Sequence, residues 1–215
     1  MTECASGSTC NVNCTGTYGS CQTICSSGAT CNMDCTDTGN CSMPCHGGNC
    51  TIPSCTGACS MACGDAKSTC HLTECASGGC SITECGAGNT CDIDTCGGGC
   101  TLSCGGAKAS CHYGTCTQGG CTISTCGQDA TCAITDCVAG GCTVQNCAKG
   151  STCTIDSCGT GCLIECAAGA TCTIRNCKNG GCNIGCQTGA TCKIEKCTGG
   201  APCNDHATYS PPSAP

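Results

Sequence analysis

The sequence predicts an all-β fold, a disulfide-stapled parallel β-solenoid (β-helix) of units about ten residues long, with two units in each coil. Three observations predict it. The 215-residue chain has no Trp, no Phe and three Tyr, so large apolar side chains cannot build an ordinary core. It has 40 Cys and 34 Gly, and an even number of Cys at near-regular spacing marks a disulfide framework. From Cys10 to Cys197 one unit, Cys-x-Φ-x-(x)-Cys followed by a Gly-rich link, recurs nineteen times, with Cys4 and Cys203 flanking the array.

The strand comes first. In an extended segment residues i and i+2 share a face, so the first Cys and Φ point inward together and the residue between them faces solvent. Φ is Ile, Val, Leu or Met in seventeen units, Tyr113 in one and Thr23 in one. Ile52, Ile82, Ile93, Ile123, Ile134, Ile155, Ile174, Ile184 and Ile194 are the expected core stripe. The second Cys follows the first by four or five positions, a change of parity that a continuous strand cannot absorb, so it is expected beyond a bend.

The links come next. Segments such as Ala76-Ser77-Gly78-Gly79 and Gly86-Ala87-Gly88-Asn89-Thr90 carry Gly for positive φ, and Asn or Ser for local hydrogen bonds. From Cys55 onward short and long links alternate, with Thr or Ser ending the long ones (Thr69, Thr90, Ser110, Thr131, Thr152, Thr171, Thr191) and Ala or Gly the short ones. Two alternating corners are most simply explained by two strands per coil, hence nine or ten coils spanning about 45 Å at the strand spacing of ~4.8 Å, whereas the alternative of ten-residue coils gives about 90 Å.

The chain divides into a solenoid domain, 1–203, and a C-terminal tail, 204–215, that ends Ser210-Pro211-Pro212-Ser213-Ala214-Pro215. The framework includes Cys4, Cys10, Cys14, Cys59, Cys63, Cys80, Cys85, Cys121, Cys126, Cys172, Cys177 and Cys203, whose pairing the spacing leaves open. Such frameworks persist in oxidising compartments, which places the protein outside the cell or on its surface. A metal-thiolate store is the competing reading of the cysteines, but Cys-Cys and Cys-x-Cys are absent from the sequence.

A net charge of −7 argues against nucleic acid as a partner, and no stretch is apolar enough for a membrane span. None of the histidines, His46, His71, His112 and His206, lies in a nucleophile or cofactor motif. No catalytic residue, cofactor or metal ligand is assigned, and the chain is not expected to be an enzyme. His71 and His112 share an outward position with Asp92 between them, which is read as a solvated polar face copied with its block rather than as a metal site. Calcium is not implied, because Asp65 and Asp129 are the only acids in the links from Cys55 to Cys197.

With two Cys in repeats of this length, the region from Cys4 to Cys203 resembles the disulfide-braced β-solenoid antifreeze proteins of insects, in architecture rather than surface motif. That resemblance implies an ice-binding Thr-x-Thr array. Here the triplet occurs at Thr152-Cys153-Thr154 and Thr171-Cys172-Thr173, while His71, Asp92, His112, Ala133 or Lys193 replaces the second Thr elsewhere. Tyr113 alone stands where a tyrosine ladder would run. The repeats are also similar to cysteine-rich secreted or surface repeat proteins of bacteria, which implies an exterior location. The repeat is already running at Glu3-Cys4-Ala5-Ser6-Gly7, so end-to-end self-association into a fibre or coat is the leading expectation. Ice binding is the alternative, and a rigid stalk or spacer in a larger surface protein a further one.

Overall fold

The computed structural model describes residues 2–14, 20–36 and 40–208, the last four by backbone only. Residues 209–215, the greater part of the tail expected from the sequence, lie outside the described residues.

The strands in chain order are β1 (Thr2–Cys4), β2 (Thr9–Asn13), β3 (Ser20–Cys25), β4 (Thr30–Asp34), β5 (Asn40–Pro44), β6 (Asn49–Cys55), β7 (Ala58–Cys63), β8 (Thr69–Cys75), β9 (Ser81–Cys85), β10 (Thr90–Cys96) and β11 (Thr101–Cys104). They continue as β12 (Ser110–Cys116), β13 (Thr122–Cys126), β14 (Thr131–Cys137), β15 (Thr143–Cys147), β16 (Thr152–Cys158), β17 (Leu163–Cys166), β18 (Thr171–Ile174), β19 (Asn183–Cys186), β20 (Thr191–Ile194) and β21 (Asn204–Thr208). Odd-numbered strands form an 11-stranded sheet and even-numbered strands a 10-stranded sheet, each in sequence order, and every pairing is parallel, as in β8 on β10 and β7 on β9. Each coil therefore takes one strand from each sheet, which is the two-unit coil that the alternating links imply. Ten steps between eleven strands give a rod of about 48 Å. The solenoid continues past Cys203, because β21 pairs with β19 through Asn183 and Asn204.

Inside runs a narrow column of sulfur and aliphatic groups. Ile52, Ile82, Ile93, Ile123, Ile134, Ile155, Ile174 and Ile184 are fully buried, and Ile194 in the penultimate strand is partly buried. Each such side chain removed from water contributes about 1.5–3 kcal/mol. Identical residues stack in register, Cys70 on Cys91 on Cys111, so the repeat in sequence becomes a ladder in space.

The expected bend before the second Cys is not what resolves the parity problem. In β7, with four-position spacing, Cys59, Met61 and Cys63 alternate inward without interruption. In β8, with five, Cys70, Leu72 and Cys75 are buried while Thr73 and Glu74 both face outward. The extra residue is taken up as a β-bulge inside the strand, and where the two spacings meet the register shifts, as between Met61 and Cys63.

Twenty disulfides use all 40 cysteines. Each joins the second Cys of one unit to the first Cys of the next, so every link is closed by its own bridge. Long corners carry Cys4–Cys10, Cys63–Cys70, Cys85–Cys91, Cys126–Cys132 and Cys166–Cys172 among others. The other corner carries Cys14–Cys21, Cys55–Cys59, Cys75–Cys80, Cys116–Cys121, Cys177–Cys182 and Cys197–Cys203 among others, and it is the shorter of the two from Cys55–Cys59 to Cys177–Cys182. A loop this short contributes about 2 kcal/mol per bridge in the chain-entropy account.

Both corners need positive φ. Long corners place it at one position per coil, filled by Gly in most, as at Gly88 and Gly150, and by Lys67, Lys108 and Asp129 in three. The next residue turns inward and is small or polar: Ala109, Ala130, Ser151 and Asn89 are all buried. Asn89 bonds beyond its own link. Its Nδ2 donates to the carbonyls of Cys63 and Asp65 at 2.7 Å, and its Oδ1 accepts from Ser68 N at 3.1 Å, stitching one coil to the one before.

Candidate functional surfaces

The rod offers two sheet faces and two corners. Among the shallow depressions on it, one is lined by Asn11, Val12, Asn13, Asn32, Asp34 and Pro53 and another by residues that include Gly64, Thr83, Glu84 and Ser103. Neither brings a histidine or a free thiol to a carboxylate. In the first, the Asp34 carboxylate accepts from the Thr36 hydroxyl at 2.6 Å and the Thr36 backbone at 3.1 Å, which holds its pKa below the ordinary value. This ties down the chain leaving β4.

The core sulfurs are themselves a possible ligand array, since groups such as Cys25, Cys45 and Cys50 lie within 4.8 Å of one another. All are disulfide sulfurs, and it is the thiolate that binds metal. In this oxidised form the column is structural.

The even-numbered sheet is the charged face. Its first outward column, Thr9, Thr30, Asn49, Thr69, Thr90, Ser110, Thr131, Thr152, Thr171 and Thr191, runs the length of the rod in register. The second column is mixed, as the sequence indicates, with His71 beside Asp92 and Asp92 beside His112. Asp94, which the sequence reading passed over, joins them: its Oδ2 lies 2.8 Å from His71 Nε2. Asp94 sits two residues beyond Asp92 on the same outward face, so the period-2 rule applied to Asp92 would have found it. Burial pushes the Asp92 carboxyl above its ordinary pKa, while the His112 and His71 imidazoles pull it down. Farther along, Arg175 pairs with Asp156 and Lys193 with Glu195, exposed ion pairs of small energetic weight.

The odd-numbered sheet differs in kind. Ser42, Ser60, Ser81, Thr101, Thr122 and Thr143 follow one another in register on β5 to β15. Neighbouring hydroxyls bond along the column, Thr122 to Thr143 at 3.0 Å and Ser81 to Ser60 at 3.4 Å, and Ser103 meets Thr125 at 3.2 Å beside it. Glu84 is the single charged residue on those six strands. The signal of this ladder in the sequence is not Thr-x-Thr after the long links but the Ser or Thr between the first Cys and Φ in alternate units from Cys41 to Cys147, a run that ends at Leu163 and Asn183.

Among the described residues no helix is long and apolar enough to cross a membrane. The disulfide content is that of proteins folded in oxidising compartments. The chain is a disulfide-braced β-solenoid for which no family model matches, and no curated protein or solved structure matches it either.

Proposed function

We propose that the chain is a structural protein of the cell exterior, a disulfide-hardened rod that joins end to end into a fibre or surface coat. The observation that supports this best is the translational repeat. Coil meets coil through the same two parallel ladders throughout, so a terminal coil would offer a second copy the surface that every inner coil offers its neighbour. Such a contact is heterologous and propagates. Two disulfides in each coil stiffen the unit against heat and proteolysis, which suits a coat. Negative-stain electron microscopy of the unreduced protein tests the reading: filaments many times longer than about 48 Å are expected, and isolated short rods at high protein concentration would overturn assembly in favour of a stalk or spacer.

The uncharged hydroxyl ladder of the odd-numbered sheet favours a second reading, ice binding through Ser81, Thr101, Thr122 and Thr143. A flat, regularly spaced, weakly hydrated surface is what an ice lattice requires, and this face meets that requirement better than the charged one. Ice-recrystallisation inhibition that Thr122→Lys abolishes is the expected result; activity unchanged in that variant would remove this face from consideration.

A further inference from the structure

Strands β8, β10, β12 and β14 carry the carboxylates Glu74, Asp92, Asp94 and Asp136 and the imidazoles His71 and His112, with no Lys or Arg among them. An anionic patch that also holds two imidazoles is a donor set for a cation of intermediate softness. Register brings its members together. His71, Asp92 and His112 occupy one column on three successive strands, where backbones are ~4.8 Å apart, and Asp94 reaches back to His71 at 2.8 Å.

Two further features shape the cluster. The residue beside Asp94 on the next strand is Gly114, and the strands approach so closely there that a Cβ on it would lie 2.4 Å from the Asp94 carbonyl oxygen. His112 leans away from Asp92 and Asp94 toward the following strand, its Nε2 2.7 Å from Thr135 Oγ1, a single bond between partly exposed groups that rotation of the ring would release. Nε2 of His71 and Oδ2 of Asp94 are already close to the separation of about 3.3 Å that two donors have on one tetrahedral Zn2+.

We propose that His71, Asp92, Asp94 and His112 form a surface site for a divalent transition-metal cation, Cu2+ or Zn2+, with the remaining positions open to water. His71 and Asp94 are the preformed pair, Asp92 supplies the central carboxylate, and His112 swings in as the fourth ligand. The site is independent of how the rods assemble.

Titration of the oxidised full-length chain with Cu2+ and with Zn2+, by calorimetry and by electron paramagnetic resonance of the Cu2+ form, tests it. One equivalent is expected to bind saturably, with two nitrogen couplings in the Cu2+ spectrum. His71→Ala and His112→Ala should each weaken binding about tenfold or more. His46→Ala should leave it unchanged, although His46 makes a similar pair with Asp65 at 2.6 Å, because no second imidazole stands in register there. Non-saturating binding, binding that survives the His71→Ala/His112→Ala double variant, or binding lost with His46 overturns the proposal. Because the nitrogen couplings are read on the unmodified chain, a variant that fails to fold does not shield it: a spectrum without nitrogen coupling overturns it alone.

Discussion

A Cβ added to Gly140 would lie 2.1 Å from the carbonyl oxygen of Thr160 in the following coil. The short corner can stack only because no side chain is there, and Gly140 also sits at φ 89°. Gly140→Ala should therefore destabilise by about 2 kcal/mol or more. Gly161 shares the positive φ but has nothing within 4 Å, so Gly161→Ala should cost only about 1 kcal/mol. Guanidinium unfolding of the two variants side by side checks the difference, and equal losses would show that the close approach carries no weight.

Long corners make the converse statement. Lys108 holds φ 59° where most coils place Gly, and a non-glycine residue in that region is strained. Lys108→Gly should raise stability by about 0.5–1 kcal/mol, the strain relieved exceeding the added flexibility of the unfolded chain. A lower denaturation midpoint in this variant would contradict the reading.

Asn89 is buried with three hydrogen bonds to the preceding coil. Its replacement by Ala strands the buried Ser68 N–H, while the carbonyls of Cys63 and Asp65 keep Gly86 N and Ser68 Oγ as donors. A loss of about 1–3 kcal/mol is expected, with faster amide exchange concentrated at Ser68. Unchanged exchange there would mean that water substitutes for the side chain.

Tyr113 fills a position held by Ile in the adjacent strands of its sheet, and its fully buried hydroxyl has no hydrogen-bond partner. Burial holds the phenol well above its ordinary pKa. The unfolded chain gives up this proton near pH 10 while the folded chain keeps it, so the contribution to stability is complete below that pH and is lost as pH rises above it. Tyr113→Phe should add about 1–3 kcal/mol at neutral pH and flatten the alkaline loss. A variant less stable than the parent would point to a partner for the hydroxyl.

What the sequence made legible was whatever depends on period. Inward Cys and Φ follow from alternation, and the two-strand coil follows from unequal links, since each corner repeats its own length. Pairing was legible too, had strand geometry been applied to it. Cys70 and Cys75 end one strand and stand about 16 Å apart at ~3.3 Å per residue, beyond the reach of a disulfide, whereas Cys63 and Cys70 across a link have Cα atoms 6.4 Å apart. The bulge at Thr73 and Glu74 was hidden because parity alone cannot distinguish a bend from an extra residue within a strand. The His71–Asp94 contact was hidden because it is diagonal, crossing from one strand to a residue two positions further along the next.

Sulfur bridges at the corners replace the core that a chain without Trp or Phe cannot build. Far-UV circular dichroism of the oxidised protein on heating, and then at ambient temperature with a strong reductant, tests this most directly. The account predicts a β signal that persists towards the boiling point while the bridges are intact and collapses without heating once they are reduced. A cooperative transition at modest temperature in the oxidised protein, or β structure that survives complete reduction, would contradict it.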